Sequence, residues 1–314
     1  MSKIAFVFPG QGSQAVGMGK DLFEQFEPAA NVFKKADQKL NFSLTDLIFE
    51  GSKEELTLTH NTQPALLTTS IAILEHFKQF NIQPDFVAGH SLGEYSALVA
   101  AGVLSFEEAV FAVRKRGEYM QEAVPAGEGA MAAVLGLERE KLTAVTQEIS
   151  DAGNSVQLAN LNCPGQIVIS GTTKGVELAG EKAKEAGAKR AIPLEVSGPF
   201  HSELMKPAAE KFASVLDGLQ LTDAKIPVIA NVTAAPIQDH AEIKAKLVEQ
   251  LYSSVLWEDS VRKMLDLGVD TFIEIGPGKV LSGLIKKIDR KAKVYAVNDM
   301  ETSSKVAEEL KGDM

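Results

Sequence analysis

The sequence predicts an α/β protein in which a mostly parallel sheet is covered by helices on both faces and a small second domain is inserted. Two observations predict this class. Short apolar strands alternate with amphipathic helices along most of the 314-residue chain, a pattern typical of parallel sheets. Between residues 127 and 196 the order changes to strand, helix, strand, strand, helix, strand. That order is typical of a ferredoxin-like domain.

The large domain is predicted to comprise residues 1–126 and 197–314. Its first part begins with an apolar strand and continues mainly with amphipathic helices. Its second part holds three further strands, each next to a helical segment. The predicted strands are 4–8, 85–88, 228–231, 271–275 and 294–297, and the predicted helices of the first part are 21–39, 64–80, 94–101 and 106–123.

The small ferredoxin-like domain is predicted over residues 127–196. It follows Pro-Ala-Gly-Glu-Gly at 125–129, a sequence that suits a hinge. Its predicted strands are 130–137, 156–162, 166–170 and 189–193, and its predicted helices are 139–152 and 175–186.

Composition excludes several classes of protein. Hydrophobic residues make up 45% of the chain and charged residues 24%, as in ordinary globular proteins. No apolar stretch is long enough to span a membrane, and the apolar run near residue 4 is too short for a signal peptide. A net charge of −10 argues against nucleic-acid binding. The single cysteine, Cys163, cannot form an internal disulfide, so we expect a cytoplasmic protein. The histidines lack metal-ligand spacing, so we expect no metal.

The motif Gly-His-Ser-Leu-Gly at residues 89–93 carries the most functional information. It matches G-x-S-x-G, which places a serine on a sharp turn between a strand and a helix in hydrolase-like enzymes. We expect the flanking glycines to let the backbone take that turn and to expose Ser91 as a nucleophile. An ordinary glycine-serine loop is the alternative interpretation of so short a motif.

A second glycine-rich segment, Pro-Gly-Gln-Gly-Ser-Gln-Ala at 9–15, directly follows the first strand. Gly10, Gly12 and Ala15 nominally satisfy the dinucleotide-binding pattern. That interpretation needs a second strand ending in an acidic residue about 20 residues later, whereas the sequence there has helical spacing. The other interpretation is a loop whose backbone N–H groups face an active site.

Four segments together resemble the malonyl-CoA:acyl carrier protein transacylases of fatty-acid synthesis, and the resemblance covers essentially the whole chain. It implies ping-pong transfer of a malonyl group from malonyl-CoA to the phosphopantetheine thiol of acyl carrier protein, through a malonyl-serine intermediate. It implies no metal or redox cofactor, because the coenzyme A thioester and the phosphopantetheine arm are substrates. The segments are Gly-Gln-Gly-Ser-Gln at 10–14, Gly-His-Ser-Leu-Gly-Glu at 89–94, Arg-Lys-Arg-Gly at 114–117 and Ser-Gly-Pro-Phe-His-Ser at 197–202.

The resemblance implies the catalytic roles. Ser91 would be the nucleophile and His201 the base that takes its proton. The backbone carbonyl of Gln250 would orient the imidazole in place of a carboxylate. Ser254 stands where the family usually has a proline, which leaves the geometry of this turn open.

The resemblance also implies an oxyanion hole. The backbone N–H groups of Gln11 and Leu92 would stabilise the negative oxygen of the tetrahedral intermediate.

Four side chains are implied in substrate binding. Arg116 would bind the free carboxylate of the malonyl group with two parallel hydrogen bonds; the alternative is a solvated surface arginine. Phe200 would pack against the malonyl methylene, unless it belongs to the core. Gln63 would lie near the acyl pocket, or only begin a helix. Asn160, with Asn162, would line the cleft between the domains.

The remaining candidates are interpreted as structural. His60, His76 and His240 lie outside the motifs and are expected to be ordinary surface or core residues. His90 adjoins Ser91, but neighbours on a tight turn point in different directions, so it is a poor base. Arg114 is expected to be structural as well.

Acyl carrier proteins are acidic, as this chain is, so docking would need a local basic patch. The densest basic run contains Lys286, Lys287 and Arg290, followed by Lys291 and Lys293. A solvated helix end is the alternative interpretation. Three other functions stay open: a serine esterase or thioesterase, a nucleotide-binding oxidoreductase, and a non-catalytic module that binds a carrier protein.

Overall fold

The structure, a computed structural model, describes residues 3–196 and 198–313. Residue 197, where we expect the large domain to resume, lies outside the described residues. The boundaries of the two domains therefore stay predictions. Within the described residues the strands form two separate sheets, one of six strands and one of four.

The elements alternate along the chain as the hydrophobic pattern predicts, and they are numbered in chain order. The strands are β1 Lys3–Phe8, β2 Phe86–Gly89, β3 Gly129–Leu135, β4 Val156–Cys163, β5 Gln166–Thr172, β6 Arg190–Pro193, β7 Val228–Ile229, β8 Pro236–Ile237, β9 Val269–Ile275 and β10 Lys293–Val297. The helices are α1 Lys20–Gln25, α2 Glu27–Leu40, α3 Leu44–Glu50, α4 Lys53–Thr57, α5 Thr59–Phe77, α6 Gly93–Ala100, α7 Phe106–Glu122, α8 Arg139–Asp151, α9 Thr173–Glu185, α10 Lys206–Asp217, α11 His240–Gln250, α12 Trp257–Asp266, α13 Val280–Ile288 and α14 Met300–Asp313, with single 3₁₀ turns at Lys78–Phe80 and Glu203–Met205.

The six-stranded sheet has the order β10-β9-β1-β2-β7-β8, and its strands are parallel except for the last pair. The predicted fold class is confirmed. The register pairs Phe8 with Gly89, so the loops that follow β1 and β2 meet at the carboxyl edge of the sheet. Ligands of open α/β sheets bind at that edge. The antiparallel β8 was not predicted, because two residues are too few to show an alternating pattern.

The four-stranded sheet is antiparallel throughout, with the order β4-β5-β3-β6. Helices α8 and α9 pack on it and enclose an apolar cluster of their own. The predicted order of strands and helices is confirmed, with bounds that differ by at most two residues. This is the ferredoxin-like arrangement.

Two prolines move the helix bounds away from the prediction. The predicted helix 21–39 is two helices, separated at the extended Phe26, and Pro28 occupies the first turn of α2, where a missing N–H costs nothing. Helix α5 begins at Thr59 and contains Pro64 in its interior. Pro64 cannot donate to the carbonyl of His60, and Arg114 Nη1 donates to that oxygen at 3.1 Å instead.

The small domain is joined to the large one through its edge strand β4. Asn160 forms a parallel bridge with Val255. Leu161 N donates to the Val255 carbonyl at 2.9 Å, and Val255 N donates to the Ala159 carbonyl at 2.8 Å. The segment after α11 is therefore held by main-chain hydrogen bonds from the other domain.

None of the helices in the described part of the chain is both long enough and apolar enough to cross a membrane.

Candidate active site

Ser91 lies on the turn between β2 and α6, and it carries the strain of that turn itself. Its φ is 51°, in the left-handed region that non-glycine residues rarely adopt. The flanking glycines have a different role from the expected one. A Cβ on Gly89 would lie 1.9 Å from the carbonyl carbon of Gly93, and one on Gly93 would lie 2.1 Å from the carbonyl oxygen of Phe8. The glycines allow strand, turn and helix to approach closely.

His201 lies beside Ser91 in space, although 110 residues separate them. Its Nε2 is 2.8 Å from Ser91 Oγ, and its Nδ1 is 2.8 Å from the backbone carbonyl of Gln250. A carbonyl oxygen can only accept, so Nδ1 carries the proton and Nε2 is free to accept the serine proton. Such a pair can make the serine hydroxyl nucleophilic.

The environment keeps His201 neutral. The imidazole is 3% exposed. Burial, followed by the positive charge of Arg116, lowers the pKa of His201 to about 3, against the opposing effect of the Gln250 carbonyl. At neutral pH the imidazole is therefore in the form that accepts a proton.

Arg116 projects from α7 into the site with 1% of its surface exposed, which excludes a solvated surface position. Nη2 donates to Ser91 Oγ at 3.1 Å and to Gln250 Oε1 at 2.9 Å. Nη1 donates to Gln63 Oε1 at 2.8 Å. The guanidinium also lies 5.5 Å from the ring centre of Tyr95. A buried cation whose hydrogen bonds go to hydroxyl and amide oxygens rather than to a carboxylate is suited to bind an anionic group.

A buried polar network under the turn was missed by the sequence reasoning. Ser91 N donates to Asn231 Oδ1 at 2.7 Å, and Asn231 Nδ2 donates to the Gly89 carbonyl at 2.6 Å. Gln250 Nε2 donates to Glu94 Oε2 at 2.6 Å. Burial raises the pKa of Glu94 to about 7, against hydrogen bonds from Gln250 and Asn231 that lower it. Asn231 could have been found from its place, because it follows β7, the strand beside β2.

Gln250 contributes more than the predicted backbone carbonyl. Its side chain is fully buried and lies between Arg116, which donates to Oε1, and Glu94, which accepts from Nε2. Nε2 also donates to the Ser91 carbonyl at 3.1 Å. One residue therefore contacts the nucleophile's turn, the base and the buried cation.

A cavity of about 120 Å³ opens in front of Ser91. Asn160 and Phe200 line it together with the polar groups described above. Gln63 does not line it and lies behind Arg116, with Nε2 3.5 Å from Met120 Sδ. Asn162 instead contacts Nε2 of His90 at 2.8 Å. The full lining consists of Gln11, His90, Ser91, Leu92, Arg116, Met120, Met131, Asn160, Leu194, Val196, Phe200 and His201.

Two lining residues are the candidates for an oxyanion hole. Leu92 is the N-cap residue of α6, which begins at Gly93, and the N–H groups of a helix start carry partial positive charge. Gln11 comes from the loop after β1, and its side chain is turned away to Thr59 Oγ1 at 3.3 Å. Both residues line the cavity beside Ser91, as the predicted oxyanion hole requires.

Other polar residues of the sequence lie outside this site. Arg114 forms an ion pair with Glu118 at 2.7 Å. His60 Nδ1 is 2.9 Å from Gln121 Oε1, and His76 is buried against Phe26.

His240 lies with Asp223 and Asp239 in an exposed group whose side chains could hold a metal ion. The spacing of the histidines along the chain could not reveal this group. Asp223 Oδ1 pairs with His240 Nδ1 at 2.7 Å, and Asp239 caps α11. These contacts already explain all three residues structurally.

The basic run predicted as a docking patch is exposed at the end of α13. Lys287 Nζ donates to Gln166 Oε1 at the start of β5, at 3.2 Å. Lys286 Nζ donates to the Ala292 carbonyl at 2.6 Å. The patch thus lies next to the small domain.

A serine on a strand–helix turn, a buried neutral histidine within hydrogen-bond distance and a lined cavity define an acyl-transfer enzyme of the serine class. The model of the acyl transferase domain family matches residues 5–308. The chain is 67% identical to the malonyl CoA-acyl carrier protein transacylase of Bacillus subtilis (strain 168), covering 99% of this chain and 98% of that protein. The chain therefore belongs to the acyl transferase family, among the malonyl CoA-acyl carrier protein transacylases.

Solved structures agree with this membership. An acyl carrier protein S-malonyltransferase from Vibrio cholerae is 49% identical to this chain, with a TM-score of 0.95. The match covers 97% of this chain and 100% of that chain. A malonyl-transacylase solved in complex with its type II PKS acyl-carrier protein is 45% identical, again with a TM-score of 0.95, over 98% of this chain and 100% of that chain.

Proposed function

We propose that this enzyme transfers the malonyl group of malonyl-CoA to the phosphopantetheine thiol of acyl carrier protein, which supplies malonyl groups for fatty-acid synthesis. The observation that carries the proposal is the buried guanidinium of Arg116, whose Nη2 is 3.1 Å from Ser91 Oγ. A malonyl thioester has a free carboxylate beside the reacting carbonyl. A cation next to the nucleophile therefore favours this acyl group over neutral ones.

In the first half-reaction, His201 Nε2 takes the proton of Ser91, and Oγ attacks the thioester carbonyl carbon. The C–S bond then breaks. The departing sulfur of coenzyme A takes the proton from His201, which leaves a malonyl ester on Ser91. The Gln250 carbonyl holds the Nδ1 proton throughout, so the imidazole keeps the required tautomer.

The negative oxygen of each tetrahedral intermediate accepts hydrogen bonds from the backbone N–H groups of Gln11 and Leu92. The loss of one such donor typically costs about 2.7–4 kcal/mol of transition-state stabilisation. Backbone groups serve this purpose well, because the loop after β1 and the start of α6 hold them rigidly.

The acyl group is selected by charge and shape. Arg116 exchanges a neutral partner for the malonyl carboxylate, and each charge-assisted hydrogen bond contributes roughly 1.5–3 kcal/mol. Phe200 and Met131 line the cavity, whose volume of about 120 Å³ equals that of about four molecules of liquid water. This volume suits a small acyl group, and Phe200 disfavours a methyl branch on it. Gln63 acts by holding Arg116, and Asn160 adds a polar group to the wall.

In the second half-reaction the phosphopantetheine thiol gives its proton to His201 and attacks the ester carbonyl. The ester C–O bond breaks, Ser91 recovers its proton and the malonyl thioester leaves. Each proposed step uses only groups of this chain and the two thioester substrates, and none involves oxidation, so the proposal includes no metal or redox cofactor. A cytoplasmic location remains a prediction from the single cysteine, Cys163.

The decisive experiment is mass spectrometry of the protein after mixing with malonyl-CoA. We expect one malonyl adduct on Ser91, no adduct in Ser91→Ala, and a weaker adduct in Arg116→Ala. An adduct on another residue, or none, contradicts the mechanism. Adduct that passes to water as fast as to the carrier thiol favours the thioesterase alternative.

We further propose that the carrier protein docks on Lys286, Lys287 and Arg290. These side chains are exposed next to the small domain, and a related transacylase was solved with its acyl-carrier protein bound. Lys286→Glu with Lys287→Glu should raise the KM for the carrier protein and leave the KM for malonyl-CoA unchanged. The matched control is Lys53→Glu, an exposed lysine on α4. An unchanged KM for the carrier protein contradicts this docking surface.

A further inference from the structure

Gln157 belongs to strand β4 of the small sheet, yet its side chain binds the turn that carries His201. Nε2 donates to the His201 carbonyl at 3.2 Å and to the Tyr252 carbonyl at 3.3 Å. Oε1 accepts from Glu203 N at 3.0 Å. Gln157 lies outside the segments that carry the sequence resemblance, and it does not line the cavity.

The turn at His201 needs such support because its backbone is strained. His201 has a φ of 58°, and a non-glycine residue in this region costs of order 1–3 kcal/mol. On its N-terminal side, His201 N donates to the Leu251 carbonyl at 3.1 Å. On the C-terminal side, Gln157 binds both the His201 carbonyl and Glu203 N.

The same amide also spans the two segments between which the imidazole is held. His201 belongs to one segment. Tyr252 belongs to the other, two residues after the Gln250 carbonyl that accepts from Nδ1 at 2.8 Å. A single NH₂ group that donates to both segments sets their separation. Strand β4 also pairs with Val255 of the second segment. The strand therefore holds this segment both through the Gln157 side chain and through its main chain.

We propose that Gln157 is a positioning residue, through which the small domain holds His201 in line with Ser91 and the Gln250 carbonyl. The proposal rests on the proposed function, because it assigns the imidazole as the base. Gln157 touches no reacting atom and acts only through the His201 turn. The position of the small domain and the geometry of the base are therefore coupled.

The test is the single-turnover rate constant for malonylation of Ser91, measured by rapid mixing with malonyl-CoA. Gln157→Ala should lower this rate constant roughly tenfold, since displacement of a catalytic group by about 1 Å can cost up to 10²-fold. The KM for malonyl-CoA should stay within twofold, because Arg116 and the cavity are untouched.

Gln157→Met separates hydrogen bonding from packing. Methionine keeps the length of the side chain but makes none of the three hydrogen bonds, so its rate constant should fall as far as that of Gln157→Ala. The matched control is Gln147→Ala in the same domain, which should react at the wild-type rate. Gln147 is an exposed glutamine whose side chain donates to Asp151 Oδ1 at 2.7 Å.

Each outcome decides between the two proposals. If wild-type protein forms no malonyl-Ser91, the proposed function fails. If wild type and Gln157→Ala form it equally fast, only the role of Gln157 fails. A wild-type rate constant in Gln157→Met also overturns the role. If Gln157→Ala only unfolds part of the protein, the amplitude of malonylation falls while its rate constant is unchanged. That result also overturns the role of Gln157.

Discussion

Ser91 and His201 are both non-glycine residues with left-handed backbone, at φ values of 51° and 58°, but their turns are supported in different ways. The Ser91 turn lies directly between β2 and α6, with a glycine on each side that allows close packing. The His201 turn adjoins neither a strand nor an α-helix. It is held by contacts from Leu251, Gln250 and Gln157. The nucleophile's turn is placed by its own strand and helix and is also bonded by Asn231 and Gln250, whereas the base's turn has no adjoining strand or α-helix and depends on distant residues alone.

Removal of either side chain at these two turns should have the largest effect. Ser91→Ala and His201→Ala should each lower kcat on the order of 10⁴-fold or more, because nucleophile and base act as one unit. For the same reason the double variant should be no slower than the slower single variant. Steady-state kinetics of malonyl transfer measure this, and additive losses would show that the two residues act separately.

Substitution of alanine for one glycine beside each turn tests how closely the backbone of that turn is packed. Gly89→Ala should lower the free energy of unfolding by about 3 kcal/mol or more, because its Cβ would lie 1.9 Å from backbone atoms. Gly198→Ala is the matched variant at the His201 turn. Its Cβ would lie 3.2 Å from the Phe200 ring and 3.5 Å from the Met120 carbonyl oxygen, with no backbone clash, so the loss should stay below about 1 kcal/mol. Denaturant unfolding measures both, and equal losses would contradict the comparison.

Arg116, which lies between Ser91 and Gln250, should affect selectivity more than stability. Arg116 donates to Ser91 Oγ and to Gln250 Oε1. Arg116→Ala should reduce the preference for malonyl-CoA over acetyl-CoA by about ten- to a hundredfold, which corresponds to roughly 1.5–3 kcal/mol. The ratio of the two kcat/KM values measures it. Arg114→Ala, two positions earlier on α7, is the control and should keep the preference.

The two turns also differ in the sign of their pH dependence. Glu94, under the Ser91 turn, has its pKa raised to about 7 from 4.5. The protonated form of Glu94 therefore contributes to stability, fully below pH 4.5, and this contribution is lost as the pH rises through 7. The free energy of unfolding falls by up to about 1.4 kcal/mol per pH unit in this interval. His201 has its pKa lowered to about 3 from 6.5. Between pH 6.5 and 3 the unfolded histidine binds a proton that the folded one does not, so this contribution falls as the pH falls.

Glu94→Gln removes the first of these contributions and keeps the shape of the side chain. Unfolding free energies measured between pH 5 and 8 should then decline less toward high pH than those of the wild type. The His201 contribution below pH 6.5 should be unaffected. An unchanged slope between pH 5 and 7 would show that Glu94 is ionised in the folded protein.

The comparison of the turns also explains which parts of the site could be predicted. The Ser91 turn follows from five consecutive residues, a preceding strand and a following helix, all of which are local signals. Asn231, Glu94 and the side chain of Gln250 were missed, because no local pattern says which buried amide meets which carboxylate. Gln63 was expected near the acyl pocket; it accepts a hydrogen bond from Arg116 without lining the cavity, a distinction that no local sequence pattern makes.

By itself, the sequence determined the fold class, the order of elements in the small domain and the family, because hydrophobic periodicity and short motifs are local properties of the chain. The tertiary structure alone decided that a neutral imidazole, a buried guanidinium and a carboxylate with a pKa of about 7 share one site. Residues 91, 116, 157, 201 and 250 are far apart in sequence. The packing of the two sheets brings them within hydrogen-bond distance, and burial, together with neighbouring charges, shifts the pKa values of His201 and Glu94.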